Sequence, residues 1–271
     1  MIYTNDILIL LILRQKISFL KNIFVPSLMS TQVMQSTISA PGTLEFRLNE
    51  EIPANHYGLL AATLNEWWGW LIQSDSGIME RRVQSGTPFI SAYDSRQISD
   101  FVTGINLAEY GPEIPVVSLE MVFLETGGDK GKVPKLYKSL THDGLWSPIP
   151  KSYDTVIFVD LTGMPSRIGK NGNGEVERTV KFGKAYVLGQ TDHELPFDPE
   201  KIKHIWTYSP DIDGIIRMHI RYGASDTNHV IPDARNPFLN NLRGLTEEEF
   251  TAQYPHHNAK LHNTRLMSYL G

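Results

Sequence analysis

The sequence predicts a single domain of the α/β (α+β) class, in which helices flank a mixed sheet. With 271 residues and 41% hydrophobic content, the chain is long enough to bury a substantial core. Residues 155–161, TVIFVDL, form a β-branched and aromatic run, which is typical of a central strand with both faces covered. Strand patterns dominate the first half of the chain, whereas helices and strands alternate after residue 155.

The first half contributes one helix and several strands. A short edge strand is predicted at 44–47, and residues 88–93 and 101–107 read as two strands of a hairpin. A further strand is predicted at 116–124. Between the edge strand at 44–47 and the strand at 88–93, a core-facing helix is predicted from apolar residues near helical spacing, namely Leu59, Leu60, Leu64, Trp67, Trp68 and Leu71. Glycines and prolines in 126–146 predict a long loop or an insertion, and such loops are often functional.

The second half alternates between the two element types. After the central strand, which Asp160 interrupts, a glycine loop precedes a helix whose apolar face carries Val176, Val180 and Val187. A strand is predicted at 204–208, followed by a helix that begins with Ser209, Pro210 and Asp211 and ends at Gly223. The last predicted strand covers 228–232, and the remaining residues are polar with weak periodicity.

Composition excludes several classes of site. The net charge is -5 with both signs interspersed, which argues against a nucleic-acid partner. The chain has no cysteine, so disulfides, thiolate metal sites and a thiol nucleophile are excluded, in keeping with a cytoplasmic protein. The histidines at 256, 257 and 262 lack a metal-binding spacing, and we expect no metal site.

The N-terminus contains one short apolar run, which is not part of the predicted fold. Residues 7–13 are apolar, but a membrane span needs about 20 residues, and the flanking charges do not suit a signal peptide. We expect residues 1–41 to be a flexible or non-native extension with the true start near Met29. An amphipathic membrane anchor is the alternative.

The glycine loop at 169–174, GKNGNG, has the composition of a phosphate cradle. Glycines allow backbone to approach a ligand closely, and the first amides of a helix have no internal partner. Lys170 adds a positive charge, whereas Glu175 opposes an anion unless its side chain turns outward. A glycine-rich surface turn that holds nothing is the alternative.

The order of these motifs resembles the Gcn5-related N-acetyltransferase (GNAT) fold over residues 44–235. The resemblance rests on VDLT at 159–162, PSR at 165–167, the glycine loop and MHIRYGA at 218–224. It implies a mostly antiparallel sheet, an acyltransferase domain at 42–235 and a C-terminal extension at 236–271 that packs on the domain or trails from it. Gly169 stands where the family motif has Arg or Gln, so a side-chain contact would come from Arg167 or Lys170.

The resemblance also implies a reaction and a set of site residues. The expected reaction is direct transfer from an acyl-CoA, acetyl-CoA in particular, to a small-molecule amine in a ternary complex. His219 stands where many family members have a tyrosine that protonates the CoA thiolate, Asp160 is the candidate base, and Tyr208 is a third candidate. The residues expected to bind the acyl-CoA are Leu161, Thr162, Gly163, Arg167, Lys170, Asn171, Gly172, Asn173 and Gly174.

Two other functions stay open at this point. A GNAT-like malonyl-CoA decarboxylase would rely on a histidine and a threonine, for which His219 with Thr162 or Thr207 could serve. The other is a non-catalytic acyl-CoA-binding protein, since Gly169 departs from the motif. We expect no stable membrane insertion, and a homodimer is left open.

Overall fold

The computed structural model describes residues 44–68, 75–94, 113–142, 145–146, 148–163, 174–211, 213–231 and 263–271. For 65–68, 137–142, 145–146 and 231 it describes the backbone alone. All of these residues lie in one compact unit, Pro41–Gly271. The helices are α1 (Tyr57–Trp68), α2 (Ser76–Val83), α3 (Val133–Leu140), α4 (Glu175–Val187) and α5 (Asp213–Arg221). The strands are β1 (Glu45–Leu48), β2 (Phe89–Asp94), β3 (Ile114–Leu124), β4 (Thr141–His142), β5 (Leu145–Trp146), β6 (Thr155–Gly163), β7 (His204–Pro210), β8 (Ser225–Ile231) and β9 (Thr264–Leu270).

Seven strands form one mixed, mostly antiparallel sheet, which confirms the predicted fold class. The strand order is β1-β2-β3-β6-β7-β9-β8, and β4 and β5 pair separately. Within this sheet β6 and β7 are parallel, whereas the other neighbouring pairs are antiparallel. The predicted central strand is indeed central, because β6 lies between β3 and β7 with residues 155–159 fully buried.

Helices cover both faces of the sheet. On one side, which we call the α4 face, Val180 of α4 and Ile216 of α5 pack against Leu119 and Phe158. On the other side, the α2 face, α1 and α2 pack on Phe89, and Val133 of α3 packs on Val122 and Ile157. The sheet is therefore the middle layer of three, and any ligand that reaches it must enter at an edge or at a gap between strands.

Gly183 sets the distance between α4 and the sheet. A Cβ atom placed on it would lie 2.7 Å from Leu119 Cδ2 and 3.5 Å from Phe158 Cζ. Because real Cβ atoms do not approach that closely, the glycine lets α4 lie nearer to β3 and β6 than any other residue would.

Three predictions of the first half need correction. Residues 126–146 are not a long loop, since those described form a 3₁₀ turn, α3 and the paired strands β4 and β5, whereas the alternative, an insertion, is not contradicted. Helix α2 was not predicted, although Asp75 caps it by accepting a 2.7 Å hydrogen bond from the Ile78 amide. β2 pairs with β1 and β3, so the predicted hairpin is wrong, and its second strand, 101–107, lies outside the described residues.

The C-terminal half differs in two places. The helix predicted to begin at Ser209 begins at Asp213, because Ser209 and Pro210 continue β7 by pairing with β9. Residues 264–270, expected within an extension, form β9 and lie between β7 and β8 in the sheet. The sheet therefore includes residues beyond 235, in the segment expected to pack on the domain or trail from it.

Candidate functional site

The two parallel strands at the centre of the sheet separate at their carboxyl ends. β6 and β7 pair from Thr155 with His204 to Phe158 with Thr207, and no pair joins them beyond that point. Both strands continue, β6 along β3 to Gly163 and β7 along β9 to Pro210. Within the part of the chain that the structure describes, the two strands are thus not paired with each other beyond Phe158 and Thr207, and a ligand can lie between them there.

A β-bulge lies at this opening. Val159 pairs with Glu120 and Thr162 with Ser118, so Asp160 and Leu161 stand opposite one residue of β3. Asp160 has a φ of 50°, in the left-handed region that aspartate tolerates better than most residues. Asp160 and Leu161 are also the two residues of β6 that solvent partly reaches, while the other seven are buried. Bulges of this kind often lie beside active sites.

The bulge turns the Asp160 side chain toward the α2 face. There its Oδ2 accepts a hydrogen bond from Nη2 of Arg82, which also lies 3.3 Å from Glu120 Oε2. The exposed fractions of the three side chains are 2% for Arg82, 0% for Glu120 and 8% for Asp160. Sequence reasoning selected Asp160 but missed Arg82 and Glu120, although Glu120 is a charged residue within the apolar strand β3.

His219 lies on the α4 face, inside the core. Its Nδ1 is 2.8 Å from the hydroxyl of Tyr269 on β9, and the Tyr269 ring lies 5.7 Å from that of Phe158, the last residue of β6 that pairs with β7. Burial lowers the pKa of His219 to about 4 and raises that of Tyr269. At neutral pH the site therefore holds a neutral imidazole beside a protonated phenol. Tyr269 was not predicted, because the strand that carries it was not.

Tyr208 follows the last paired residue of β7. It packs on the α2 face against the cluster that contains Val159 and Trp206. Burial raises the pKa of its hydroxyl well above the usual range, so the phenol stays protonated at physiological pH. Asp160 and Tyr208 thus lie on the same face of the sheet, whereas His219 lies on the other.

Three of the residues expected to bind the acyl-CoA, Leu161, Thr162 and Gly163, lie in the last part of β6. Leu161 packs toward the core on the α4 face, and the Thr162 hydroxyl is 2.8 Å from that of Ser118 in a buried pair. Since Thr162 shares the α2 face with Ser118, the structure separates it from His219. Thr207 is on the His219 face, beside Phe158 and Met267, and its hydroxyl donates to the Phe158 carbonyl at 2.9 Å.

The predicted phosphate cradle is described only at its end. Gly174 caps α4 with a φ of 79°, and a Cβ atom there would meet nothing within 4 Å, so conformation alone favours glycine. Glu175 is fully buried rather than turned outward, which places a carboxylate in the first turn of α4. The five remaining predicted contacts, Arg167, Lys170, Asn171, Gly172 and Asn173, lie outside the described residues.

A second glycine cluster, at residues 126–128, is already occupied by a side chain of the protein. The Asp154 carboxylate accepts hydrogen bonds from the Thr126 amide at 2.9 Å and the Gly127 amide at 2.7 Å. Burial works to raise the pKa of Asp154, but the hydrogen bonds from Thr155, Thr126 and Gly127 outweigh it and lower the pKa. This turn is therefore a structural anion nest rather than a ligand site.

Neither a metal cluster nor a membrane-spanning helix is found among the described residues. They contain no group of three or more His, Asp or Glu side chains arranged to hold a metal ion. Histidines 256, 257 and 262 lie outside them. None of the described helices has the length and apolar character that a transmembrane segment requires.

Comparisons with known proteins give a likeness of fold alone. No family model and no curated protein matches the sequence. The chain is similar to solved structures of GNAT proteins at low identity. One is Arabidopsis thaliana NAA60 in complex with acetyl-CoA, with 12% identity, a TM-score of 0.49, and coverage of 84% of this chain and 98% of that chain. Another is the GNAT-like decarboxylase GphF in complex with isobutyryl-CoA, with 11% identity, a TM-score of 0.49, and coverage of 83% and 98%. A third is the loading GNATL domain of CurA from Lyngbya majuscula, with 14% identity, a TM-score of 0.44, and coverage of 84% and 98%.

Proposed function

We propose that the protein is an acyl-CoA-dependent N-acyltransferase, of the acetyl type, which acts on a small-molecule amine. The observation that carries the proposal is the opening between β6 and β7, with the bulge at Asp160 inside it. Where the pairing of two parallel strands ends, a ligand can lie between them, and the amide-rich pantetheine arm of CoA can form backbone hydrogen bonds there. The order of motifs that resembles GNAT proteins supports the same assignment.

The opening is joined in the chain to the start of α4, where the backbone amides suit an anion and the buried Glu175 carboxylate opposes one. Residues 164–173 connect the end of β6 to α4, and Gly174 begins that helix. The amides of a helix N-terminus and its dipole attract phosphate groups. We assign the diphosphate of CoA to this loop and helix start, with Arg167, Lys170 and the amides of 170–174 as its contacts.

We assign the oxyanion of the reaction to a backbone amide of the bulge. In acyl transfer the amine nitrogen attacks the thioester carbonyl carbon, negative charge develops on the carbonyl oxygen, and the C–S bond then breaks. A fixed amide aimed at that oxygen is worth roughly 3 kcal/mol, judged from the removal of single donors elsewhere. Asp160, or a water beside it, takes the proton that the amine nitrogen loses as its bond to the carbonyl carbon forms.

The thiolate that leaves needs a proton donor, and two candidates differ in their chemistry. Tyr208 is a protonated phenol at the opening, but burial raises its pKa far above that of a thiol, so it can donate a hydrogen bond to the thiolate and does not readily give up its proton. His219 is neutral at pH 7, so it acts as a hydrogen-bond donor through Nε2 when Tyr269 donates to Nδ1. We therefore assign stabilisation of the thiolate to a hydrogen bond from one of these two residues, Tyr208 on the α2 face or His219 on the α4 face, and its final protonation to solvent.

A malonyl-CoA decarboxylase is the second candidate, favoured by one observation. His219 and Thr207 lie on the same face of the sheet, next to the last paired residues of β6 and β7. The two activities differ in their products, because the decarboxylase releases carbon dioxide without an amine acceptor.

Calorimetric titration with acetyl-CoA, malonyl-CoA and free CoA tests the proposal, followed by an amine screen that detects the free CoA thiol. We expect micromolar binding and thiol release that depends on an amine. A matched pair of variants, Gly174→Ala and Gly86→Ala, locates the site, since both glycines have positive φ and open space around them. Only Gly174→Ala should weaken CoA binding, by about tenfold. Binding without turnover across the screen would instead indicate a non-catalytic acyl-CoA-binding protein.

A further inference from the structure

The buried ion-pair network on the α2 face joins three elements at one point. Arg82 comes from α2, Glu120 from β3 and Asp160 from β6, and each side chain is at most 8% exposed. Burying charges costs several kcal/mol per ion before pairing, and apolar residues of similar volume usually stabilise a fold at least as well. Stability alone therefore gives little reason for this network. A role in fixing one local conformation of the backbone gives a better one.

The ion-pair network contacts the bulge directly, because Asp160 belongs to both. Without the bulge, strict alternation would put residue 160 on the same face as Phe158, toward α4, because successive side chains alternate. The bulge turns Asp160 to the opposite face and into the left-handed region, which is unfavourable for a residue with a side chain. The hydrogen bond from Arg82 can hold the residue there, because Arg82 is itself fixed by burial and by Glu120.

We propose that Arg82, held by Glu120, is a positioning residue that fixes the bulge at Asp160 and thereby aims the bulge amides into the opening between β6 and β7. The role of those amides in acyl transfer rests on the function proposed above. The fixing of the bulge does not, and it can be measured in the free protein. Arg82 contacts the side chain of Asp160 rather than substrate, and it acts on the bulge through that residue.

The first test is hydrogen exchange in the free protein. Arg82→Met removes the contact, and Asp160→Gly removes it while allowing positive φ. We expect amide exchange across residues 159–163 to speed up at least tenfold in both variants, with no further gain in the double variant. The control is Arg47→Met, because Arg47 on β1 also pairs with two carboxylates, Glu45 and Glu113, at the far edge of the sheet. Unchanged exchange at 159–163 in a folded Arg82→Met protein would overturn the proposal.

The second test uses turnover and covers the case in which Arg82→Met fails to fold. Arg82→Lys keeps the charge but loses the planar fork. We expect its kcat to fall by ten- to a hundredfold, as small misplacements of catalytic groups do, while calorimetric affinity for CoA changes less than threefold. An equal loss of affinity and kcat would overturn the assignment to the bulge. If the wild type binds no CoA species, the proposed function fails, and the exchange test still decides whether Arg82 fixes the bulge.

Discussion

At the scale of single residues, His219 shows how burial changes a chemical assignment. Its position in the sequence suggested a proton donor to a thiolate. In the fold it lies in the core beside Tyr269, and its pKa falls to about 4 because the charged form is desolvated. Such a residue is uncharged across the physiological range, so its use is hydrogen bonding rather than delivery of a proton from an imidazolium.

A dependence of stability on pH follows from this shift. The pKa of His219 is about 4 in the folded state and about 6.5 when unfolded, so its neutral form is preferred in the fold. The contribution is complete above pH 6.5 and is lost as the pH falls from 6.5 to 4, by roughly 3 kcal/mol in total. Urea denaturation from pH 7 to 4 measures it, and His219→Gln should remove most of this slope. An unchanged slope in His219→Gln would show that other groups produce it.

Asp154 gives a second prediction, in the acid range. Hydrogen bonds to its carboxylate lower its pKa in the fold despite burial, so its contribution is present above the unfolded value, about 3.9, and is lost as the pH falls below it. Asp154→Asn should lower the free energy of unfolding at pH 7, since an amide nitrogen replaces one acceptor. The difference from wild type should shrink at pH 3. A difference that is the same at both values would contradict the assignment.

At the scale of elements, the contact between α4 and the sheet depends on one missing side chain. Gly183 allows Leu119 and Met121 of β3 to reach the helix backbone. The contact places the start of α4 at a fixed depth relative to the end of β6, which is where the proposed diphosphate site lies. Packing of the helix and geometry of the site are therefore linked.

Two alanine substitutions separate packing from helix propensity. Gly183→Ala gains about 1 kcal/mol of propensity but forces Leu119 to move, at an overpacking cost of 1–3 kcal/mol, so we expect a net loss of about 1 kcal/mol. Gly214→Ala in α5 meets nothing within 4 Å and should stabilise the protein by up to about 1 kcal/mol. Chemical denaturation measures the change in the free energy of unfolding for each variant. Changes of the same sign in the two variants would contradict this explanation of α4 packing.

At the scale of the whole molecule, sequence patterns predicted the class of fold and the central strand but not the end of the sheet. The β6 run was recognised because both of its faces are buried, which makes it uniformly apolar. β9 was missed because polar residues, Thr264, Arg265 and Ser268, interrupt its pattern. The presence of a charged residue at position 265 is explained by tertiary structure, since Arg265 forms ion pairs with Asp211 and Asp226.

The candidate site was predictable to a similar extent. Asp160, Tyr208 and His219 stood out as titratable residues within strongly patterned segments. Their partners did not, because Arg82 lies 78 residues from Asp160 and Tyr269 lies 50 residues from His219 along the chain. The bulge that decides which way Asp160 points leaves no mark in a single sequence, since it depends on the register between β3 and β6.

Removing the last strand tests whether the folded domain depends on residues beyond 235. A chain that ends at residue 235, the predicted limit, lacks β9 and with it the buried side chains of Leu266, Met267 and Tyr269. It also leaves β7 and β8 without their shared neighbour. We expect this chain to show no cooperative thermal unfolding by circular dichroism. A cooperative transition would show that β9 is dispensable.

The location of the acyl-CoA site is the central claim, and hydrogen exchange with and without acetyl-CoA measures that location directly. We predict slower amide exchange in two segments, residues 159–163 at the bulge and 174–178 at the start of α4. Exchange in β1, at the far edge of the sheet, should stay unchanged. Binding that protects other segments and leaves these two unaffected would contradict the placement of the site between β6 and β7.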